Sequence, residues 1–397
     1  DANLPVTAVE DTLTIALASE PPSLDIFQLS DSAATLVSKV HCEGLLRRND
    51  ATMEYEGVLA KSWENVDDTT IRFHLRDDVY FHNGEKMTAE DVLYMYQRGN
   101  ELPLQSSFYN MYDLEKCKII DDYTLDIVTF EPFPPMEDFM SDPADCVLSK
   151  KAIESSTPEA LVRDLNGAGT GPYKFVEWIA GDRIVFERNE NYWGEAPAIR
   201  KITVKVIPDN QTRIMALESG EIDLIFGKNM IDADAISQYL DSDKFTVGLS
   251  DPTSTRHIVM NTTHEILGDP AVRKALQHAT DRQTISDGIF YGLEQPADTL
   301  YATTVPYCNV GLKPYEYSTE TAAQILDEAG WVLGSDKMRA KDGKQLALDL
   351  LYNSDSVTEK TIAEYLQSEY LKLGISMTIH GEEEQSYRDN MKAGNFD

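Results

Sequence analysis

The stretch Tyr80-Phe-His-Asn-Gly-Glu-Lys-Met-Thr-Ala-Glu-Asp-Val92 joins a strand end, a tight turn and a helix start. Asn83-Gly84 is a strong turn signal, because both residue types tolerate the positive φ that tight hairpin turns require. Val79-Tyr-Phe81 before it reads as a strand. Thr88-Ala-Glu-Asp91 after it is a capping box: Thr88 can serve the first-turn amides, and Asp91 can reach back to the cap. The helix it opens runs through Arg98. Upstream, Ile71-Arg-Phe-His-Leu75 alternates with period two. Downstream, Ile119 to Phe130 reads as a hairpin around Asp121-Asp122. Pro132, Pro134 and Pro135 end this β-rich block, since proline supplies no ladder donor.

Working outward, Leu13-Thr-Ile-Ala-Leu17 is a first strand, broken by Glu20-Pro-Pro-Ser-Leu-Asp25. Asp31 or Ser32 caps a helix to about His41. Gly167 to Pro172 is a glycine turn. Tyr173 to Trp178 and Arg183 to Glu187 alternate as a second hairpin. Ile199 to Val206 is a strand, and a helix from about Asn210 stops at Gly220. Ile222 to Phe226 reads as a buried strand, and Phe245 to Asn261 as two apolar strands. Asp269-Pro270 caps a helix with proline at its first position, lined by Val272, Leu276 and Ala279. Ser318 caps another helix that ends at Gly330. Leu346 to Tyr352, a helix from Thr358 to Leu373 and Ile375 to His380 form strand, helix, strand, which implies a parallel pair. The fold class is α/β.

The chain has 397 residues, with 68 acidic against 35 basic side chains and a formal net charge of −33. At roughly 150 residues per domain, two or three domains are expected. Hydrophobic residues reach 42%, enough for real cores. No run approaches the roughly 18 apolar residues of a membrane span. The charge argues against nucleic acid and anionic lipid, both of which need a basic face. Cys42, Cys117, Cys146 and Cys308 match no zinc or CxxC spacing. Cys117 with Cys146 is the nearest pair for one disulfide, with buried free thiols as the alternative. The polar start and loose acidic segment to Asp11 resemble a mature N-terminus after cleavage, or a tether after a lipidated cysteine.

Several segments together resemble the family 5 extracellular solute-binding proteins, the peptide and nickel receptors of ABC importers. Tyr80 to Val92 is similar to that family's F-x-x-G-x-x-(hydrophobic)-T-A-E-D-V signature. Gly169-Thr-Gly-Pro-Tyr173, Arg188-Asn-Glu-Asn-Tyr-Trp193 and the helix from Val272-Arg273 to Asp281-Arg282 follow in family order. Within the family the likeness is to nickel-binding periplasmic proteins, through Glu195 to Thr203, Val305 to Pro314 and Gly381-Glu-Glu-Glu384. The sequence departs from them where they carry arginines: none lies in Leu102 to Phe108 or Asp138 to Cys146. Peptide receptors use an arginine between Tyr352 and Thr361, and none lies there.

The resemblance implies a two-lobe periplasmic-binding-protein-like fold of the large peptide and nickel type, with an inserted β-rich subdomain. Residues 1–44 and 168–250 would form the lobe I core, 45–167 the insert and 251–397 lobe II. Family members run on past the G-x-F-D segment found at Gly394 to Asp397 and return to lobe I. The implied function is an extracytoplasmic receptor, periplasmic or a cell-surface lipoprotein. It would capture nickel, a nickel chelate or a short peptide between the lobes and deliver it to a membrane permease. No cofactor, no nucleic-acid partner and a monomer are expected; a metal would be cargo. A cleft hydrolase acting on small peptides, and a sensor or chaperone on the same fold, are the competing classes.

Candidate binding residues follow from loop and strand-end positions. Phe27 follows the first strand, at the edge where α/β ligands sit. Phe108 and Tyr109, with Tyr112, form an aromatic run in a polar loop, and loop aromatics on a rigid scaffold commonly line clefts. Arg256 and His257 lie near the expected lobe crossing, where an arginine can pair a ligand carboxylate or form a hinge salt bridge. Tyr352, with Asn353, ends a strand of the second lobe. Tyr387 follows the Glu382-Glu-Glu384 loop, which in a cleft would favour a cation. The Gly167-x-Gly-x-Gly171 run precedes a proline and a strand, so it reads as a structural turn and not a phosphate cradle. His74 and His82 read as surface histidines, and His41, at a helix end, as structural. No nucleophile–base motif is present.

Overall fold

The computed structural model describes residues 11–28, 32–49, 51–103, 105–142, 145–227, 230–250, 254–303, 305 and 307–397. The chain forms two compact units, Asp1–Ile231 and Asp232–Asp397, each mixing helices and strands. None of the helices among the described residues is long and apolar enough to cross a membrane.

In the first unit the strand Thr12–Leu17 runs parallel to Lys201–Val206 on one side and to Leu224–Ile225 on the other. Arg183–Arg188 and Tyr173–Ile179 continue the sheet antiparallel. A second, antiparallel sheet places Ala60–Asp67, Thr70–Leu75, Thr124–Val128 and Lys118–Asp121 side by side. The alternation read at 71–75 is real: Ile71, Phe73 and Leu75 point into the core, as period two demands. The helix Ala89–Glu101 starts at the expected capping box. It buries Val92, Met95, Tyr96 and Gly99, one face at helical spacing.

Three motif segments meet in this unit. The His82 amide donates to the Gly169 carbonyl at 2.8 Å and the Asn83 amide to Gly167 at 3.0 Å. The Gly171 amide donates to the His41 carbonyl at 3.1 Å. A Cβ on Gly169 would stand 2.1 Å from the His41 carbonyl oxygen, so only glycine allows this approach. Asn189 closes the junction, its side-chain amide donating to the Gly171 carbonyl at 3.3 Å. At the centre, the Glu43 carboxylate accepts from Tyr192 Oη at 2.6 Å, Trp193 Nε1 at 3.0 Å and Thr170 Oγ1 at 3.0 Å. Burial raises the Glu43 pKa, while those three donors oppose the rise.

The second unit is built on the parallel pair Ala347–Asn353 and Ser376–Glu382, joined by the helix Val357–Lys372 as the strand–helix–strand pattern requires. Val272, Leu276, Leu326, Leu346, Leu366 and Ile375 belong to its core. Buried Arg339 fastens the crossover's end, donating to the carbonyls of Leu373 at 2.8 Å and Trp331 at 2.6 Å.

Several sequence expectations are corrected. Ile222 is buried, but only Leu224–Ile225 pair, and Leu224 and Phe226 are exposed; a short edge strand has one partner and one open side. Among the described residues of 245–261 there is no strand, and Ile258 and Val259 are exposed; apolar alternation needs a neighbouring backbone to form a ladder. Val79–Phe81 forms only an isolated bridge, Tyr80 to Lys86. Cys117 does not face Cys146. All four cysteines are free, and the Cys117 sulfur instead accepts from the Val128 amide at 3.3 Å. His82 is half-buried, its Nε2–H donating to the Gly171 carbonyl at 2.9 Å.

His41 and His82 are held neutral by burial, each with its pKa lowered from 6.5 to about 4. His41 Nδ1–H donates to Val37 O at 3.0 Å, and its ring stacks on Phe186 at 5.4 Å. The unfolded chain takes up these protons near pH 6.5 and the folded chain only near pH 4, so the pair withdraws stability as pH falls through that window. The expected outcome, read by two-dimensional imidazole NMR, is that His41 and His82 do not titrate between pH 5 and 8. His41 should be the Nδ1–H tautomer and His82 the Nε2–H tautomer. Ordinary titration of both near pH 6.5 would refute this arrangement.

Candidate functional site

The aromatic run of the first unit is placed by the helix Ala89–Glu101 and the turn Ser106–Tyr109. Gly99 makes room for Tyr109: a Cβ there would meet the Tyr109 ring at 2.5 Å. Tyr109 is buried and its ring lies 5.7 Å from Phe27 and 5.6 Å from Tyr96. Tyr112 packs edge-on to Tyr96 at 4.8 Å. Phe108, one residue before Tyr109, points the other way. It is 54% exposed and lies 6.3 Å from Phe139, which packs edge-on against Phe133. So Phe27 and Tyr109 come together inside the core, at 1% and 5% exposure, and Phe108 carries the outward face.

The Phe27 loop is pinned by a buried ion pair. Arg98 donates to Asp25 through Nη1 at 3.1 Å and also through Nη2. Asp25 accepts further bonds from the Phe27 amide at 3.2 Å and Gln28 Nε2 at 2.9 Å. The Arg98 guanidinium lies 5.5 Å from the centre of the Phe27 ring. Gln105 Nε2 donates to the Ile26 carbonyl at 2.9 Å and ties the loop to the aromatic turn. Such a pair gains only when its remaining hydrogen-bonding capacity is filled, and the loop fills it.

The sequence reading passed over Asp145, which anchors the same aromatic group. It accepts from Tyr109 Oη at 2.9 Å and Tyr96 Oη at 3.1 Å. No local pattern marks it, because both partners are far away in sequence.

In the second unit, the carboxyl ends of the parallel strands carry Tyr352 opposite Gly381 and Asn353 opposite Glu382. The Tyr352 ring crosses Gly381, where a Cβ would stand 2.7 Å away. The Asn353 amide donates to Glu359 at 3.0 Å, and its side chain donates to Glu384. Tyr387, half-buried on the helix Glu384–Ala393, has a raised pKa from burial first and then from Glu359 and Glu384. Tyr352, Asn353 and Tyr387 thus gather at one strand end. The glutamates there are engaged: Glu382 accepts from Ser386 at 2.8 Å, and Glu384 pairs with Arg388. Arg256 is held elsewhere, bonded to Glu294 at 3.0 and 3.3 Å and lying 5.1 Å from the Phe290 ring centre. His257 is exposed, its Nδ1 3.2 Å from Thr255 O. Among the described residues, no cluster of three His, Cys, Asp or Glu side chains could hold a metal ion.

Burial pushes the Asp145 pKa from 3.8 up to about 7, against the two tyrosine hydrogen bonds that lower it. Between those values the unfolded chain is ionised and the folded chain protonated, so this group subtracts stability as pH rises. Asn mimics the neutral acid. Asp145→Asn should therefore gain on the parent protein between pH 4.5 and pH 8, by on the order of 2 kcal/mol, in urea unfolding curves. A difference that does not change with pH would refute the assignment.

Comparison with known proteins agrees with this architecture. The family model of the bacterial extracellular solute-binding proteins, family 5 Middle, matches residues 54–397. The nickel-binding periplasmic protein of Escherichia coli (strain K12) is 35% identical over 348 residues, covering 85% of this chain. The chain spans 65% of that relative's length. The crystal structure of NikA from Brucella suis in complex with Fe(III)-EDTA superposes with a TM-score of 0.88 at 35% identity, covering 97% of this chain and 78% of that one. That of NikZ from Campylobacter jejuni in complex with Ni(L-His) gives 0.78 at 26% identity, covering 95% and 74%. Signature segments, the two-lobe α/β fold and the family match converge: the chain belongs to the bacterial extracellular solute-binding proteins of family 5.

Proposed function

We propose that this protein is an extracytoplasmic solute receptor of an ABC importer. It captures nickel, most simply as a chelate, and passes it to a membrane permease without breaking a bond. The observation that carries the reading is the likeness, at 35% identity, to a structure described in complex with a metal chelate. The metal is cargo and not a resident cofactor. The protein works as a monomer in the periplasm or on the cell surface. Lobe I comprises residues 1–44 and 168–250 with the insert 45–167, and lobe II begins at 251.

In this reading Phe108 of the first unit, and Arg256, His257, Tyr352 and Tyr387 of the second, contact the ligand, whereas Phe27 and Tyr109, buried in the core, support the Phe108 turn without touching it. Phe108 offers the exposed aromatic face, and Phe27 and Tyr109 hold it from behind. Tyr352 stands at a strand carboxyl end, where α/β folds take ligands, and Tyr387 lies on the helix Glu384–Ala393 that follows the partner strand. Arg256 must leave Glu294 to meet a ligand carboxylate. A short peptide is the second reading, favoured by the aromatic surroundings and disfavoured by the arginine-free segment from Tyr352 to Thr361.

Thermal unfolding with nickel(II) alone, nickel(II)–L-histidine and a set of short peptides tests this. One of them should stabilise the protein by about 2.7 kcal/mol at a hundredfold excess over Kd. Phe108→Ala should weaken that ligand about tenfold, or ~1.4 kcal/mol. It should leave the unliganded Tm almost unchanged, because the side chain is exposed. An unchanged melt across the whole set, or steady release of cleaved peptide, would overturn the receptor reading.

A further inference from the structure

Cys42 follows the helix Ser32–His41, and Cys146 lies on a distant segment that returns beside it. Gly44 and Cys146 form an antiparallel backbone bridge. The Val147 amide donates to the Glu43 carbonyl at 2.9 Å. This brings Cys42, two residues before Gly44, beside Cys146 in one core cluster, at 7% and 2% exposure. Nothing in the receptor mechanism uses either thiol.

We propose that Cys42 and Cys146 form a disulfide during folding in an oxidising compartment. One cysteine thiolate attacks a disulfide of low-molecular-weight or protein type, forming a mixed disulfide and expelling one oxidant thiolate. The second cysteine then attacks the mixed disulfide, forming the Cys42–Cys146 bond and expelling the other. Two electrons pass to the oxidant, and the two thiol protons end on its two thiols. The loop so closed contains the whole four-stranded sheet and the helix Ala89–Glu101, and long loops constrain the unfolded chain most. In the folded protein, burial and the neighbouring thiol raise the Cys42 pKa well above normal. Both thiols are also closed off from an oxidant once the core has formed, at 7% and 2% exposure, so oxidation accompanies folding and does not follow it. Only the compartment rests on the receptor reading; the pairing does not.

The test is refolding of the reduced, denatured protein in a glutathione redox buffer, then alkylation under denaturing conditions and non-reducing peptide mapping. A peptide pair joined through Cys42 and Cys146, 2 Da lighter than its reduced thiol forms together, is expected. Dithiothreitol should remove the linkage and lower the Tm of the refolded protein, but leave the Tm of Cys42→Ser unchanged. Reduced protein that is already folded should form the bridge at least tenfold more slowly in the same buffer. Native-like refolded protein with both cysteines alkylated, or joined to other partners, would overturn the pairing. Equal rates before and after folding would overturn the coupling to folding.

Discussion

The first unit depends on one carboxylate. Glu43 sits between the end of the first helix and the strand beginning at Leu46, and it takes hydrogen bonds from Thr170, Tyr192 and Trp193. The donors come from two separate turns of chain, so a single acceptor fixes where the glycine turn and the Tyr-Trp motif stand against the helix end. Removing an acceptor from shielded donors costs more than the bonds themselves contribute, because each donor then loses both protein and water. Arg76, 4.2 Å from the Trp193 ring centre, and His82 on Gly171 extend the junction to the β-rich block.

That junction gives the aromatic turn a firm base. The helix Ala89–Glu101 is held at its start by Asp91, which accepts from the Thr88 and Lys150 amides at 2.9 and 3.0 Å. Near its end the helix presents Arg98 to Asp25 and Gly99 to Tyr109. Tyr109 is therefore seated from one side by a missing Cβ and from the other by Asp145. Phe108 faces outward because its neighbour in the same short turn is locked inward. A rigid support behind an exposed ring is what a binding surface needs, since little ordering entropy is then lost on capture.

What was legible in the sequence is what neighbouring residues encode. The Thr88–Asp91 box and the left-handed Gly220 at the helix end (φ 77°) were readable, as was the alternation at Ile71, Phe73 and Leu75. Long-range choices were not. Separation along the chain favoured Cys117 as partner of Cys146, but the fold brings Cys42 beside it and leaves Cys117 on Val128. Asp145 and Glu43 look like two more acids in a chain with 68; only their tyrosine partners, far away in sequence, give them a role. Phe27 and Tyr109 read as loop aromatics, yet their neighbours make them core. His82 read as exposed because nothing local shows Gly171 arriving over it. The apolar residues at 258 and 259 promised a strand whose partner backbone no local pattern supplies.

The architecture and the family agree with the proposed receptor, in which the Phe108 face and the Tyr352–Tyr387 strand end would hold a compact ligand. Native mass spectrometry of the purified protein tests capture without conversion most directly. One small molecule per chain should be seen, kept intact in the folded protein and lost on denaturation. A bare chain mass that stays bare on titration with nickel(II)–L-histidine and with peptides, or a ligand mass that changes with time on the protein, would contradict it.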